Sequence, residues 1–159
     1  MLRISALLLA VGLFWGCQTT VEPFTPSTLQ DPANALIYVY WPGQRWREKS
    51  GQYPEIQLDG VPIGILHYKT YLTIEVAAGD HELRMTADSE AAKWTGNDQF
   101  FNTPLKQGEI KYVRLLVRYD QNKNSLSDGL MTHVVQFLPR ADGQARLEMA
   151  DLKEVRNRN

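Results

Sequence analysis

Cysteine is nearly absent. Cys17 is the only one in 159 residues, so no disulfide can form within the chain, and a folded domain must rest on its hydrophobic core. Histidine is scarce too. His67, His81 and His133 are the three present, and none belongs to an H-E-x-x-H pair or to a closed zinc spacing. The chain has no G-x-S-x-G elbow and no glycine-rich phosphate loop, which removes the readable signatures of a serine hydrolase and of a nucleotide enzyme. Nor does charge of one sign dominate. Seventeen basic residues stand against eighteen acidic ones, for a formal net charge of -1, so no global field attracts nucleic acid. Internal repeats are also missing.

What is present suits one ordinary domain. Hydrophobic residues make up 43% and charged residues 22%, enough to bury a core at this length. Met1-Leu2-Arg3 gives a positive start, and Ile4 to Trp15 is an apolar run of 12 residues broken only by Ser5 and Gly12. A helix that crosses a bilayer needs about 20 residues, so this run fits the core of a signal peptide instead. Gly16-Cys17 closes it in the manner of a lipobox, where a small residue precedes the cysteine that receives diacylglycerol. Trp15 departs from that pattern, since a smaller residue is usual there. The expectation is a lipoprotein signal peptide at 1–16, cleaved between Gly16 and Cys17, with lipid and palmitate on Cys17. Gln18 follows where inner-membrane lipoproteins often carry aspartate, so the expected location is the outer membrane, facing the periplasm. Residues 17–34, with three prolines, four threonines and a serine, read as an extended tether. The domain is expected over 35–156.

Within that domain, strand-length apolar stretches alternate with turn residues. Ala35 to Trp41 is almost wholly aliphatic or aromatic and reads as a central strand covered on both faces, stopped by Pro42. Tyr53 to Asp59 and Val61 to Leu66 flank Asp59-Gly60, a hairpin signal. Tyr71 to Ala78 points Leu72, Ile74 and Val76 inward. After a turn at Gly79-Asp80, His81, Leu83 and Met85 share one face. Glu109 to Tyr119 buries Val113, Leu115 and Val117, with Arg114 and Arg118 opposite. Met131 to Leu138 is the last clear strand, ended by Pro139. Ser89 to Gly108 reads as a long connection. Arg146 to Val155 fits a short helix, with Leu147, Asp151 and Val155 at four-residue spacing, or a strand through Leu147 and Met149. The fold expected is all-β, a small antiparallel β-sandwich with a C-terminal helix as the open element.

Four stretches carry a family resemblance: Ala35 to Pro42 (A-L-I-Y-V-Y-W-P), Ile56 to Gly64 (I-Q-L-D-G-V-P-I-G), Tyr71 with its strand, and Gly79-Asp80-His81-Glu82-Leu83. In this order they resemble an uncharacterised bacterial family of small lipoproteins that carry a domain of unknown function. The likeness spans residues 33 to 120. Trp41 replaces a residue that is often basic in the family, and Ala78 replaces a proline. The resemblance implies a β-sandwich exported to the cell envelope and carries over no activity.

No catalytic residue, metal ligand or cofactor site can be named. His81 lies on the core-facing parity of its strand, so its ring is expected to pack and to hydrogen-bond the turn backbone, with Asp80 and Glu82 facing away. Asp120 to Asp128 resembles the start of a calcium loop, but Ser125 stands in place of the sharp-turn glycine and Met131 in place of the bidentate glutamate. A polar inter-strand loop explains it. Aromatic rings crowd two segments: Trp41, Trp46 and Tyr53, then Trp94, Phe100 and Phe101. Trp46 is flanked by Arg45 and Arg47, side-chain types enriched at binding hot spots. These three are the candidate partner-binding residues, facing an envelope protein, a glycan or a lipid headgroup. Capping of the sandwich ends is the alternative role for these rings. The function expected is a non-catalytic binding or scaffolding module in the cell envelope, held to the membrane by its lipid and without nucleic acid as a partner. The alternative is an envelope hydrolase or modifying enzyme whose site is assembled from scattered residues.

Overall fold

The computed structural model describes residues 23–43, 53–86, 98–119 and 133–155. Strand β1 (Asn34–Trp41) is buried on both faces from Ala35 to Tyr40. Ala35, Ile37 and Val39 point into one hydrophobic core, and Leu36, Tyr38 and Tyr40 into a second. A strand with apolar side chains on both parities cannot lie at a surface, so it is placed centrally and covered twice.

After β1 the chain builds the hairpin β2 (Glu55–Leu58) and β3 (Val61–Ile65). Asp59 and Gly60 connect them with φ of 51° and 79°. Two successive positive values define the tight turn that Asp-Gly favours. Gly64, in the same motif, sits where a Cβ would meet Leu72 Cδ2 at 3.1 Å, so the missing side chain lets the facing sheet close in.

Strand β4 (Thr70–Ala77) returns to pair antiparallel with all of β1, from Asn34↔Ala77 to Trp41↔Thr70. β5 (Gly79–Thr86) then pairs with β2, and with β6 (Gln99–Leu105) on its other side. Ala78 is thus the corner at which the chain leaves one sheet for the other. The turn expected at Gly79-Asp80 is already the first two residues of β5. β6 also corrects the expectation of a long connection over Ser89 to Gly108. Phe101, Thr103 and Leu105 alternate against the core, but Thr103 and Pro104 hide the pattern in the sequence. The strand lies at the sheet edge, where a proline costs no ladder bond.

β7 (Ile110–Tyr119) pairs parallel with β1 and antiparallel with β8 (His133–Arg140). The parallel pair is possible because the whole second sheet intervenes between β1 and β7. Pro139 does not end β8. It lies inside the strand, opposite Val113, and β8 is an edge strand that tolerates it.

Helix α1 (Asp142–Met149) and β9 (Lys153–Glu154) close the described chain; Leu147 and Met149 lie in the helix, so a strand through them is corrected, and the short β9 follows further on. The helix starts before Arg146 and buries Ala145 and Met149, whereas Leu147 is 62% exposed. The Leu147–Asp151–Val155 stripe is therefore not its packed face. Among the described residues no helix is long and apolar enough to cross a membrane.

The result is an all-β sandwich of two sheets, ordered β8-β7-β1-β4-β9 and β3-β2-β5-β6, mostly antiparallel, with the first core between them. Ile37, Val39, Leu72, Ile74, Leu83, Val113 and Leu115 are buried there, as their alternation predicts. Val76 is only partly buried against the same core. Val117's side chain lies outside the described residues.

The second core covers the outer face of the larger sheet. Met149 and Ala145 of α1 fill one part of it. The segment before β1 fills another. Phe24 inserts edge-on between Tyr38 and Tyr71, at 5.1 and 5.2 Å between ring centroids, and Tyr38 stacks on Tyr112 at 5.4 Å. Backbone bonds hold the same segment. Phe24 N donates to Arg146 O at 3.0 Å, and Ser27 N to the Tyr38 hydroxyl at 2.7 Å. Gln30 N and Asp31 N donate to the Glu75 carboxylate at 3.0 and 2.9 Å. Residues 23–33 have no strand partner, yet they form a strap on the folded unit. The tether reading for them is corrected, because Phe24 and Leu29 supply apolar cover that the sheet needs. Phe24→Ala should lower unfolding stability by about 2 kcal/mol, the scale of a partly buried aromatic truncation. Chemical denaturation reads this directly, and an unchanged midpoint would mean that the strap contributes nothing.

Candidate functional site

Gly16 and Cys17 lie outside the described residues, as do Arg45, Trp46 and Arg47, Trp94, and the 120–128 loop. The two bases of the Trp41–Tyr53 loop are described. Trp41 meets Tyr68 edge-on at 6.1 Å and packs on the main core. Tyr53 lies 4.2 Å from the His67 ring. In the second aromatic segment the neighbours divide. Phe101 packs toward Phe137, at 6.3 Å, while Phe100 is 57% exposed beneath the Arg84 guanidinium at 5.5 Å.

His81 has a partner that lies far from it in the sequence. Its Nδ1 is 2.7 Å from Asp59 Oδ2, and its Nε2 is 2.9 Å from the Ala77 carbonyl. The second Asp59 oxygen accepts the backbone N–H of Glu82 at 2.9 Å. As expected, the ring bonds backbone at the β4–β5 corner, but its carboxylate comes from the β2–β3 turn, through cross-strand placement that local parity does not show. Both ring nitrogens face acceptors, so both must donate, and the arrangement calls for the imidazolium. The Asp59 bond, ahead of the Ala77 bond, raises the His81 pKa above its ordinary 6.5. The Glu82 N–H, then His81, lowers that of Asp59 below 3.8. Among the described residues no three His, Cys, Asp or Glu side chains gather to hold a metal.

A denser polar group lies under α1, on the outer face of the larger sheet. Register sets Tyr40 beside Arg114 across β1 and β7, and Arg140 opposite Tyr112 across β7 and β8. Gln144 and Glu148, four residues apart, come down from the helix. Glu148 Oε1 accepts from Arg114 Nη1 at 3.0 Å and from Gln144 Nε2 at 3.0 Å. Its Oε2 accepts from the Tyr40 hydroxyl at 2.8 Å. Arg140 Nε stays 3.9 Å from Oε1. Burial, and next the Glu148 bond, push the Tyr40 hydroxyl pKa up, so Tyr40 is a permanent donor. The carboxylate is thus held by three donors, one of them cationic. The cluster is suited to hold charge in place. It was not legible in the sequence, where Arg114 reads as a solvent-facing charge of β7. The available signal was the double apolar parity of β1, which implies a cover over the face that Arg114 shares.

Fold and clusters together define a two-sheet β-domain whose larger sheet is roofed by a helix and an N-terminal strap, with charged side chains enclosed beneath the helix. A family model described as "Protein of unknown function (DUF2846)" matches residues 31–130, and the chain belongs to that family. No curated protein and no solved structure matches it.

The His81–Asp59 pair makes stability depend on pH. His81 has a raised folded-state pKa, so its contribution is fully present below 6.5 and disappears as pH rises through the higher folded value. Asp59 has a lowered one, so its contribution is present above 3.8 and disappears as pH falls through the folded value below it. His81→Gln should therefore cost most stability between those limits and progressively less above 6.5. Parallel thermal melts of both proteins across this range measure it, and a difference independent of pH would remove the ion pair from the account.

Proposed function

We propose that the chain is a cell-envelope lipoprotein, anchored through lipid on Cys17 to the outer membrane and facing the periplasm, whose β-domain binds an envelope protein or a glycan. The observation that carries the reading is positional. The sole cysteine follows Gly16 at the end of the 12-residue apolar run, and seven residues on, Phe24 is packed on the domain. The chain from Cys17 to Phe24 reaches at most about 25 Å when extended. A lipid at Cys17 therefore holds the domain close to the bilayer, and its strap and helix lie at the attached end. Two or three acyl chains make such attachment stable.

The contact surface in this reading is the loop that carries Arg45, Trp46 and Arg47. Its bases are seated by Trp41 and Tyr53, and recognition residues commonly sit on loops that a rigid sandwich presents. An aromatic ring between two guanidiniums is a combination enriched at binding hot spots.

Cys17→Ala should release the protein from membranes or leave it uncleaved, and should abolish labelling by a fatty-acid probe. Attachment that survives, with an unlabelled wild type, would sink the anchor. Trp46→Ala combined with Arg47→Ala should abolish partner recovery from cross-linked envelope membranes while the melting temperature changes little. A clear fall in melting temperature would instead assign Trp46 to capping the sandwich.

A further inference from the structure

The polar group under α1 is unbalanced. Two guanidiniums, Arg114 and Arg140, share one carboxylate, and among the described residues Glu148 is the only acidic side chain within ion-pair distance of either. Asp142, the other acid of the helix, is engaged by Arg146 at 2.9 Å. Glu148 already accepts from Arg114, Gln144 and Tyr40, which uses most of its acceptor capacity. Arg140 is left at 3.9 Å, beyond hydrogen-bond reach. The Nε atoms of both arginines are sealed from solvent and have no acceptor among the described residues. Unanswered donors on a charged group at a half-buried site are costly and uncommon in a folded protein. The Arg114 and Arg140 side chains still keep 19% and 24% of their surface exposed, so the pair can be approached from solvent.

We propose that Arg114 and Arg140 form a binding site for a single carboxylate group of a ligand. One surplus positive charge matches one carboxylate, whereas a phosphate dianion would overshoot it. The planar fork of an arginine presents parallel N–H groups at the spacing of carboxylate oxygens, so the match is geometric as well as electrostatic. Glu148, with Tyr40 and Gln144, acts as a positioning residue. It fixes Arg114 by one terminal nitrogen, so that the ligand meets the guanidiniums at their terminal nitrogens while the sealed Nε groups report on it from behind. The carboxylate can come from a free small acid or from the C-terminus of a peptide. This inference rests on the reading of the domain as a binding module and adds the chemistry that such a partner must carry.

The test is an NMR titration of the chain lacking residues 1–16, with sodium acetate at ionic strength held constant by chloride. The sealed Nε–H groups of Arg114 and Arg140 are the reporters. Saturable shifts of both are expected, with chloride alone inert. Arg140→Lys, which keeps the charge and loses the fork, should bind acetate about tenfold more weakly with an unchanged ligand-free melting temperature. Arg140→Gln should bind more weakly still, and Arg84→Gln, on β5 of the other sheet, should bind as wild type. A peptide with a free C-terminus that binds more tightly than acetate, while its C-terminal amide does not bind, identifies a peptide-borne carboxylate. Equal affinities of peptide and acetate identify a free acid. Absence of saturable shifts, or a tighter response to phosphate than to acetate, overturns the carboxylate site. If partner recovery still depends on Trp46 and Arg47 in that case, the binding module survives without this site. If acetate binds but no partner is recovered, the module reading fails and the anion site stands.

Discussion

Everything in this fold depends on β1 being apolar on both of its faces. Ala35, Ile37, Tyr38, Val39 and Tyr40 are fully excluded from solvent, and that state requires two covers. The second sheet supplies one. The other is assembled from pieces distant in sequence: the strap carrying Phe24 and Leu29, and the helix carrying Ala145 and Met149. A sandwich face left open at Tyr38 and Tyr40 would expose a large aromatic patch, which a stable monomeric domain avoids. The strap and helix are therefore consequences of the composition of β1.

The polar contacts act where these layers meet. His81 ties the β2–β3 turn, through Asp59, to the last carbonyl of β4, so it spans the corner at which the chain changes sheets. Glu148 ties α1 to β1 and β7. Glu75 gathers the backbone N–H groups of Gln30 and Asp31 and the Asn34 amide, which fastens the strap at its junction with β1. Each carboxylate lies at a seam; Glu148 and Glu75 accept three donors each and Asp59 two. Such contacts fix the relative position of elements more than they add to net stability, since solvent exposure at these sites screens the charges.

The strap and the helix meet β1 at the same end. Phe24 of the strap packs on Tyr71, which pairs with Tyr40, and the Tyr40 hydroxyl bonds Glu148 of α1, so strap entry and helix both lie near the end of β1 at Trp41. The arginine pair under α1 lies on the roofed outer face, and a ligand there would be sensed by the element nearest the strap.

Local pattern was sufficient for most strands. Alternation placed β2, β4, β5 and β7, the Asp-Gly pair placed the turn at Asp59-Gly60, and an unbroken apolar run gave β1 its central rank, because side-chain parity in a strand is a property of consecutive residues. It failed where burial depended on remote partners. β6 was hidden because an edge strand can carry Thr103 and Pro104 and still bury Phe101. The strap looked like a free tether because its prolines and threonines are polar in composition, while only Phe24 and Leu29 make its contacts. His81 was legible as a packed ring, yet Asp59, twenty-two residues away, was not. Nor were Arg114, Arg140 and Glu148 legible as one group. Pairing across strands and layers is set by register and by helix docking, which depend on the energy of the whole packed chain and leave no trace in the spacing of the residues they bring together.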